Sequence, residues 1–275
     1  MASEGLQGHR ARKRFGQNFL HDRHWIERIA KAVNATEGDD IVEIGPGQAA
    51  LTRELIAGAG KVRAVEIDRD LAAWLKETFP ESLSLIEADA LTLDWTQVAK
   101  NDNLRVVGNL PYNISSPLLF KLLEAADHVK DQHFMLQKEV VDRMVAQHGS
   151  KTYGRLSVML QWRYRMQKLF DVPPGAFNPP PKVMSSVVRM IPKAKEEVPS
   201  VDFELFSSIV ANAFSQRRKT IRNALSALLS AEEIAACDVD PGARAEALPL
   251  DAFVRLAQKA EALERKAVTP GTTVD

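Results

Sequence analysis

The chain has 275 residues, 45% of them hydrophobic and 26% charged, enough to bury one large core, or one core and a smaller second one. Lysine and arginine number 36, as do aspartate and glutamate, so the net charge is zero and any contact with nucleic acid has to come from local patches. No run approaches the ~20 apolar residues of a membrane span, the basic start lacks the apolar stretch of a secretory signal, and the single cysteine, Cys237, excludes an internal disulfide and fits a cytoplasmic protein.

Arg10, Arg12, Lys13 and Arg14 form a basic arm that leads into a helix opened by Asp22, a good N-cap. His21 and His24 flank that start, but nothing elsewhere has the spacing to complete a metal site, so no metal is expected. From Asp40 onward short β-type runs alternate with helical ones. Residues 41–44, 62–65, 83–86 and 104–107 read as strands, with helices over 51–59 and 69–79 between them. That alternation predicts an α/β fold, a parallel sheet with helices on both faces. Residues 133–136 and 186–190 read as later strands, 139–147 and 155–161 as helices. The charged, proline-flanked stretch 193–200 is a linker. Beyond it Phe203, Phe206, Ile209, Val210, Ala213 and Phe214 recur on one helix face, and Ile221, Leu225, Leu228 and Leu229 repeat the pattern. The expected organisation is a catalytic-type domain over 1–192 and a small all-helical domain over 193–275, with 269–275 disordered.

The chemistry gathers in the strand-to-helix loops. Gly45-Pro46-Gly47 follows the first strand of the alternating region, where glycine lets backbone approach a ligand and also serves tight turns on structural grounds alone. Glu66 ends the next strand, where a carboxylate can accept both ribose hydroxyls of an adenosine. Both features fit either NAD or S-adenosylmethionine. Asp89 ends the third strand and is placed for an adenine amino group. Asn109-Leu110-Pro111-Tyr112 ends the fourth, and nothing in it suits hydride transfer. It suits methylation of an exocyclic amine, whose lone pair is delocalised until acceptors on its hydrogens favour the pyramidal form. The Asn109 side-chain oxygen and the Leu110 carbonyl are such acceptors, Pro111 stiffens the turn, and Tyr112 offers a stacking face. A base in a helix would have to leave its stack to reach them, which an unpaired RNA loop makes easier. Phe177, in the stiff run Phe177-Asn178-Pro179-Pro180-Pro181, serves equally well as a second stacking face or as a hydrophobic anchor. Arg217, Arg218, Lys219 and Arg222 form a late basic cluster suited to RNA phosphates.

Asn109-Leu110-Pro111-Tyr112, with Glu43-Ile44-Gly45-Pro46-Gly47 and Glu66, resembles the ribosomal RNA adenine N6-dimethyltransferase family, and the likeness runs nearly end to end. Lys13-Arg14-Phe15-Gly16-Gln17-Asn18-Phe19-Leu20 resembles its N-terminal signature, which implies that Asn18 and Leu20 contact the methionine end of S-adenosylmethionine. The run 177–185 resembles a family loop and implies a stacking role for Phe177; 137–140 and 153–158 also match, as pocket-shaping segments. The tail, 214–223 and 244–246, is similar to the branch acting on small-subunit RNA and less so to the antibiotic-resistance branch acting on large-subunit RNA. The resemblance implies a Rossmann-like methyltransferase fold with a mostly parallel seven-stranded sheet. It also implies transfer of methyl groups to two adjacent adenosines in the 3′-terminal hairpin of small-subunit RNA, within a nearly assembled subunit. A monomer is expected. A non-catalytic assembly or transcription factor on the same fold, and a dinucleotide-dependent oxidoreductase resting on the glycine loop, are the other readings.

Overall fold

In the computed structural model, which describes residue 6 and residues 11–12, 16–99, 101–216 and 218–268, strand β1 (Phe19–Leu20) leads into helix α1 (Arg23–Val33). Asp22 caps α1 as its sequence position predicts, accepting the His24 amide at 2.9 Å. There follow β2 (Ile41–Ile44), α2 (Ala50–Ala59), β3 (Val62–Glu66), α3 (Arg69–Thr78), β4 (Leu83–Glu87), the short α4 (Trp95–Val98), β5 (Leu104–Asn109) and α5 (Ser115–Leu122). The chain continues through β6 (Val129–Gln137), α6 (Lys138–Met144), α7 (Arg155–Arg163), β7 (Tyr164–Val172), β8 (Phe177–Asn178) and β9 (Ser185–Pro192).

Seven strands form one sheet in the order β4-β3-β2-β5-β6-β9-β7. The first five run parallel, while β9 is antiparallel to both β6 and β7. From β2 the chain winds outward through β3 and β4, then crosses back to β5. The crevice between β2 and β5 is therefore the topological switch point at which open α/β sheets bind ligands. Register fixes what meets there: Ile44 lies opposite Val65 on one side and Gly108 on the other, and Glu66 opposite Glu87. The residues just past these pairs, Gly45, Asp89 and Asn109, share the carboxyl edge with Glu66. The central β2 is buried throughout, which only a run as apolar as Ile-Val-Glu-Ile tolerates, and even there Glu43 is an anomaly. β1 and β8 make a separate two-stranded ladder, Leu20 opposite Phe177.

At the opposite edge of the sheet Arg105 is buried and gathers three close partners. It grips Asp131 with two nitrogens (2.9 and 3.0 Å), Asp39 at 2.6 Å and the Val33 carbonyl at 2.6 Å. The guanidinium thus ties the end of α1 to β5 and β6, with each charge answered inside a low-dielectric setting.

The chain divides into two units, Met1–Asp142 with Tyr164–Pro192, and Arg143–Arg163 with Lys193–Asp275. A single boundary after Pro192 was expected, but α7 belongs to the second unit. Its Trp162 ring packs 5.6 and 5.5 Å from Phe203 and Phe206, and Tyr153 just before it lies 6.0 Å from Phe214. The second unit also holds α8 (Phe203–Ala213), α9 (Ile221–Ala224), α10 (Ala231–Ala235) and α11 (Leu250–Val268). Its core is Phe206, Ile209, Val210, Ile221, Leu225, Phe253 and Leu256, residues that the helical spacing places on inward faces. Among the described residues no helix is long and apolar enough to cross a membrane.

Candidate active site

A cavity of about 290 Å³ opens at the carboxyl edge of the first unit's sheet, lined by Gly16–Leu20, Glu43–Gly47, Glu66, Ile67, Asp89 and Asn109–Ile114 among others. Of the expected cofactor-site residues, Asn18, Leu20, Gly45, Gly47, Glu66, Asp89 and Asn109 all lie on it. After β2 the backbone turns through Gly45 and Gly47, at φ 67° and 56°. At Gly47 a Cβ would also sit 3.0 Å from the Phe19 ring, so only glycine lets β1 lie this close to the loop.

Glu66 is held from below. One carboxyl oxygen accepts the Gly47 amide (3.2 Å) and the other the Asp68 amide (2.9 Å). Burial pushes its pKa up, and these two amides pull against that shift. Asp89 accepts the Leu91 amide at 2.9 Å, which fixes the side chain in its turn. Glu43, two residues before the glycine loop, was given no role by the sequence reading. It lines the cavity at 2% exposure, its Oε2 has no hydrogen-bond partner among the described residues, and burial pushes its pKa up to about 7. The signal was available, since a carboxylate inside an otherwise apolar central strand calls for an explanation. Ile67, exposed and apolar beside Glu66, was also passed over.

The Asn109 amide nitrogen lies 3.0 Å from the Asn18 carbonyl. A carbonyl can only accept, so the NH₂ must face it and Oδ1 must be the end left for another donor. The Leu110 amide donates to the Met135 carbonyl at 3.1 Å, which anchors the turn to β6. The Tyr112 hydroxyl shares a 2.6 Å hydrogen bond with Ser185, and burial raises its pKa. Pro111 completes the cavity wall between Leu110 and Tyr112.

Phe177 does not join them. It is 2% exposed, pairs with Leu20 across the two-stranded ladder and packs into the core with Ile26, Ile29 and Val172. Burial, pairing and packing accord with its reading as a hydrophobic anchor. In the second unit Arg218, Lys219 and Arg222 are exposed around the start of α9. Arg217 lies outside the described residues, as do Lys13, Arg14, Phe15 and residues 269–275.

This edge suits a cofactor with an adenosine and a charged tail: a buried carboxyl group with one unpartnered oxygen, a glycine turn that at Gly47 leaves no room for a Cβ, and acceptors at two strand ends. The model of ribosomal RNA adenine dimethylase matches residues 8–261. The chain belongs to that family. Its members are S-adenosyl-L-methionine-dependent transferases on this Rossmann-like fold. The chain is 57% identical to the ribosomal RNA small subunit methyltransferase A of Thiobacillus denitrificans, over 87% of this chain and 94% of that one. A dimethyladenosine transferase from Plasmodium falciparum is similar in structure, with TM-score 0.77 and 25% identity over 89% of this chain and 98% of the other. The 23S rRNA methyltransferase ErmE matches with TM-score 0.68 and 26% identity, over 89% of this chain and all, 100%, of that one.

Proposed function

We propose that this enzyme dimethylates the N6 amines of two adjacent adenosines in the 3′-terminal hairpin of small-subunit ribosomal RNA. The observation that carries the chemistry is the Asn109 amide turned onto the Asn18 carbonyl, which leaves Oδ1 as a fixed acceptor at the cavity. The choice of substrate rests on identity of 57% to a small-subunit enzyme against 26% to a 23S enzyme.

Of the residues lining the cavity, Glu66 would hold the ribose hydroxyls of S-adenosylmethionine, Asp89 its adenine amine, and Glu43 with the Asn18–Leu20 arm its methionine end. When bound, the cofactor supplies an electrophilic methyl group whose sulfonium charge disappears on transfer. The target adenine enters with its amine hydrogens on Asn109 Oδ1 and the Leu110 carbonyl, and its ring on Tyr112. The nitrogen lone pair, freed from the ring, forms the new N–C bond as the S–C bond breaks, and the amine then loses a proton to water. Positioning and fixed dipoles therefore do most of the work, with no general base among the roles. A second round on the same nitrogen gives the dimethyl product.

Arg218, Lys219 and Arg222 contact RNA phosphates, with Arg217 as a further candidate from the sequence. Buried Cys237 suits the reducing cytoplasm, and we read the enzyme as a monomer acting on nearly assembled small subunits. The test is to incubate it with labelled S-adenosylmethionine and small subunits lacking the modification, with large subunits in parallel, and to map the product by mass spectrometry. N6-dimethyladenosine at two adjacent hairpin positions is expected. Label in large-subunit RNA alone would overturn the substrate, and cofactor binding without any transfer would favour a non-catalytic assembly role.

A further inference from the structure

Asp68 caps α3, its Oδ1 accepting the Asp70 amide at 3.1 Å. One oxygen and one bond complete that task, and Ser or Asn would serve it equally well without a charge. Yet this side chain is wholly buried at 0% exposure, and its carboxylate makes further bonds to a distant segment. Arg12 Nη1 reaches Oδ1 at 2.9 Å, and Gln17 Nε2 reaches Oδ2 at 3.1 Å, from 56 and 51 positions earlier in the chain. Arg12 pairs as well with Asp70, and its backbone amide donates to Gln17 Oε1 at 2.7 Å. A desolvated carboxylate is costly unless paired, so the charge is accounted for by the arm it holds and not by the helix it caps.

What the arm does next is decisive. The residue after Gln17 is Asn18, whose carbonyl receives the Asn109 amide. On the other side, the Asp68 backbone amide supports Glu66. We propose that Asp68, through Arg12 and Gln17, is a positioning residue that latches the arm against the cavity and so sets the orientation of Asn109. The inference rests on Asn109 being the acceptor for the target amine.

The test uses the full-length enzyme without cofactor for hydrogen exchange, and with cofactor and small subunits for turnover. Arg12→Ala opens the latch and gives up the exposed pair with Asp70 in α3, but leaves the helix cap itself in place; Asp68→Asn keeps the cap and removes the charge; Arg12→Lys restores the charge with a single point of contact. With the latch opened, amides 16–20 should exchange roughly tenfold faster while the core strands keep their protection. Turnover should fall about tenfold, since misplacing a reacting group costs that much or more, and Arg12→Lys should recover part of both. Exchange and turnover in Arg12→Ala that stay within about twofold of the unaltered protein would overturn the proposal, as would faster exchange with undiminished turnover. Should Asp68→Asn fail to fold, Arg12→Ala decides alone. Asn109→Ala separates the two ideas. If it still transfers methyl groups, the acceptor reading fails whatever the arm does; if it is inactive and Arg12→Ala is normal, only the latch fails.

Discussion

The orientation of one amide decides what Asn109 can do. Its NH₂ is committed to the Asn18 carbonyl, so Asn109→Asp keeps an acceptor of the same size but sets two oxygens against each other. Transfer should drop about a hundredfold or more in Asn109→Ala and also in Asn109→Asp, a range typical for losing a fixed polar contact to the transition state. Binding of small-subunit RNA should survive in the alanine variant; an active Asn109→Asp would show that the Asn18 contact does not matter. Glu43 carries a different consequence. Burial raises it from an ordinary 4.5 to about 7, so between these values the folded protein holds a proton that the unfolded chain has released. The folded state is therefore unpenalised below 4.5 and loses stability as pH rises through 7, by about 3 kcal/mol in all. Glu43→Gln, neutral at every pH, should flatten that loss, and denaturant unfolding at pH 5 and pH 8 would read it directly. His133 works in the opposite direction. Burial lowers it to about 4, so protonation of the unfolded chain erodes stability as pH falls from 6.5 toward 4.

Parallel strands buried on both faces announce themselves as short apolar runs, and for that reason β2 matches its sequence reading end for end and β3 overruns by a single residue; the partly buried edge strand β4 also overruns by one. Glu66, Asp89 and Asn109 were legible for the same reason, since each sits where such a run stops. β7 was not. In this edge strand the alternation breaks at Lys168 and Leu169, where the register shifts; the strand is only partly buried and carries no turn signal to separate it from α7. The β1–β8 ladder was hidden because two-residue strands have no periodicity, and so Phe177 could not be told from a cavity residue. The Arg105 cluster was equally invisible, since its partners Asp39 and Asp131 are brought together only by the fold of α1, β5 and β6. Arg105→Met preserves much of the volume but takes both guanidinium bonds from the buried Asp131, while Asp39 keeps Thr36 and Lys130. It should cost about 3 kcal/mol in denaturant unfolding. A loss under about 1 kcal/mol would mean that the cluster is solvated in practice.

Zero net charge sets the terms on which the whole molecule can bind RNA. With 36 basic and 36 acidic residues, long-range attraction averages out, and affinity has to come from a few cations placed where phosphates pass. Arg218, Lys219 and Arg222 meet that requirement: all are exposed, and none makes an ion pair among the described residues, so no carboxylate has to be displaced on binding. Each phosphate they neutralise releases counterions and should add roughly 0.7 to 0.9 to the slope of log affinity against log salt. The triple alanine variant should therefore bind small subunits more weakly at low salt, with a slope shallower by about 2. Its melting temperature should hardly move, because exposed side chains away from any packing contact contribute little. Turnover at saturating subunit should also persist, since phosphate contacts position the substrate without touching the reacting amine; KM rises while kcat stays, the reverse of Asn109→Ala. Were the slope unchanged, the cluster would be an ordinary solvated face and the phosphate contacts would have to be sought elsewhere. Were kcat to fall with KM fixed, the second unit would be setting the target adenosine's approach to Asn109 rather than holding the RNA.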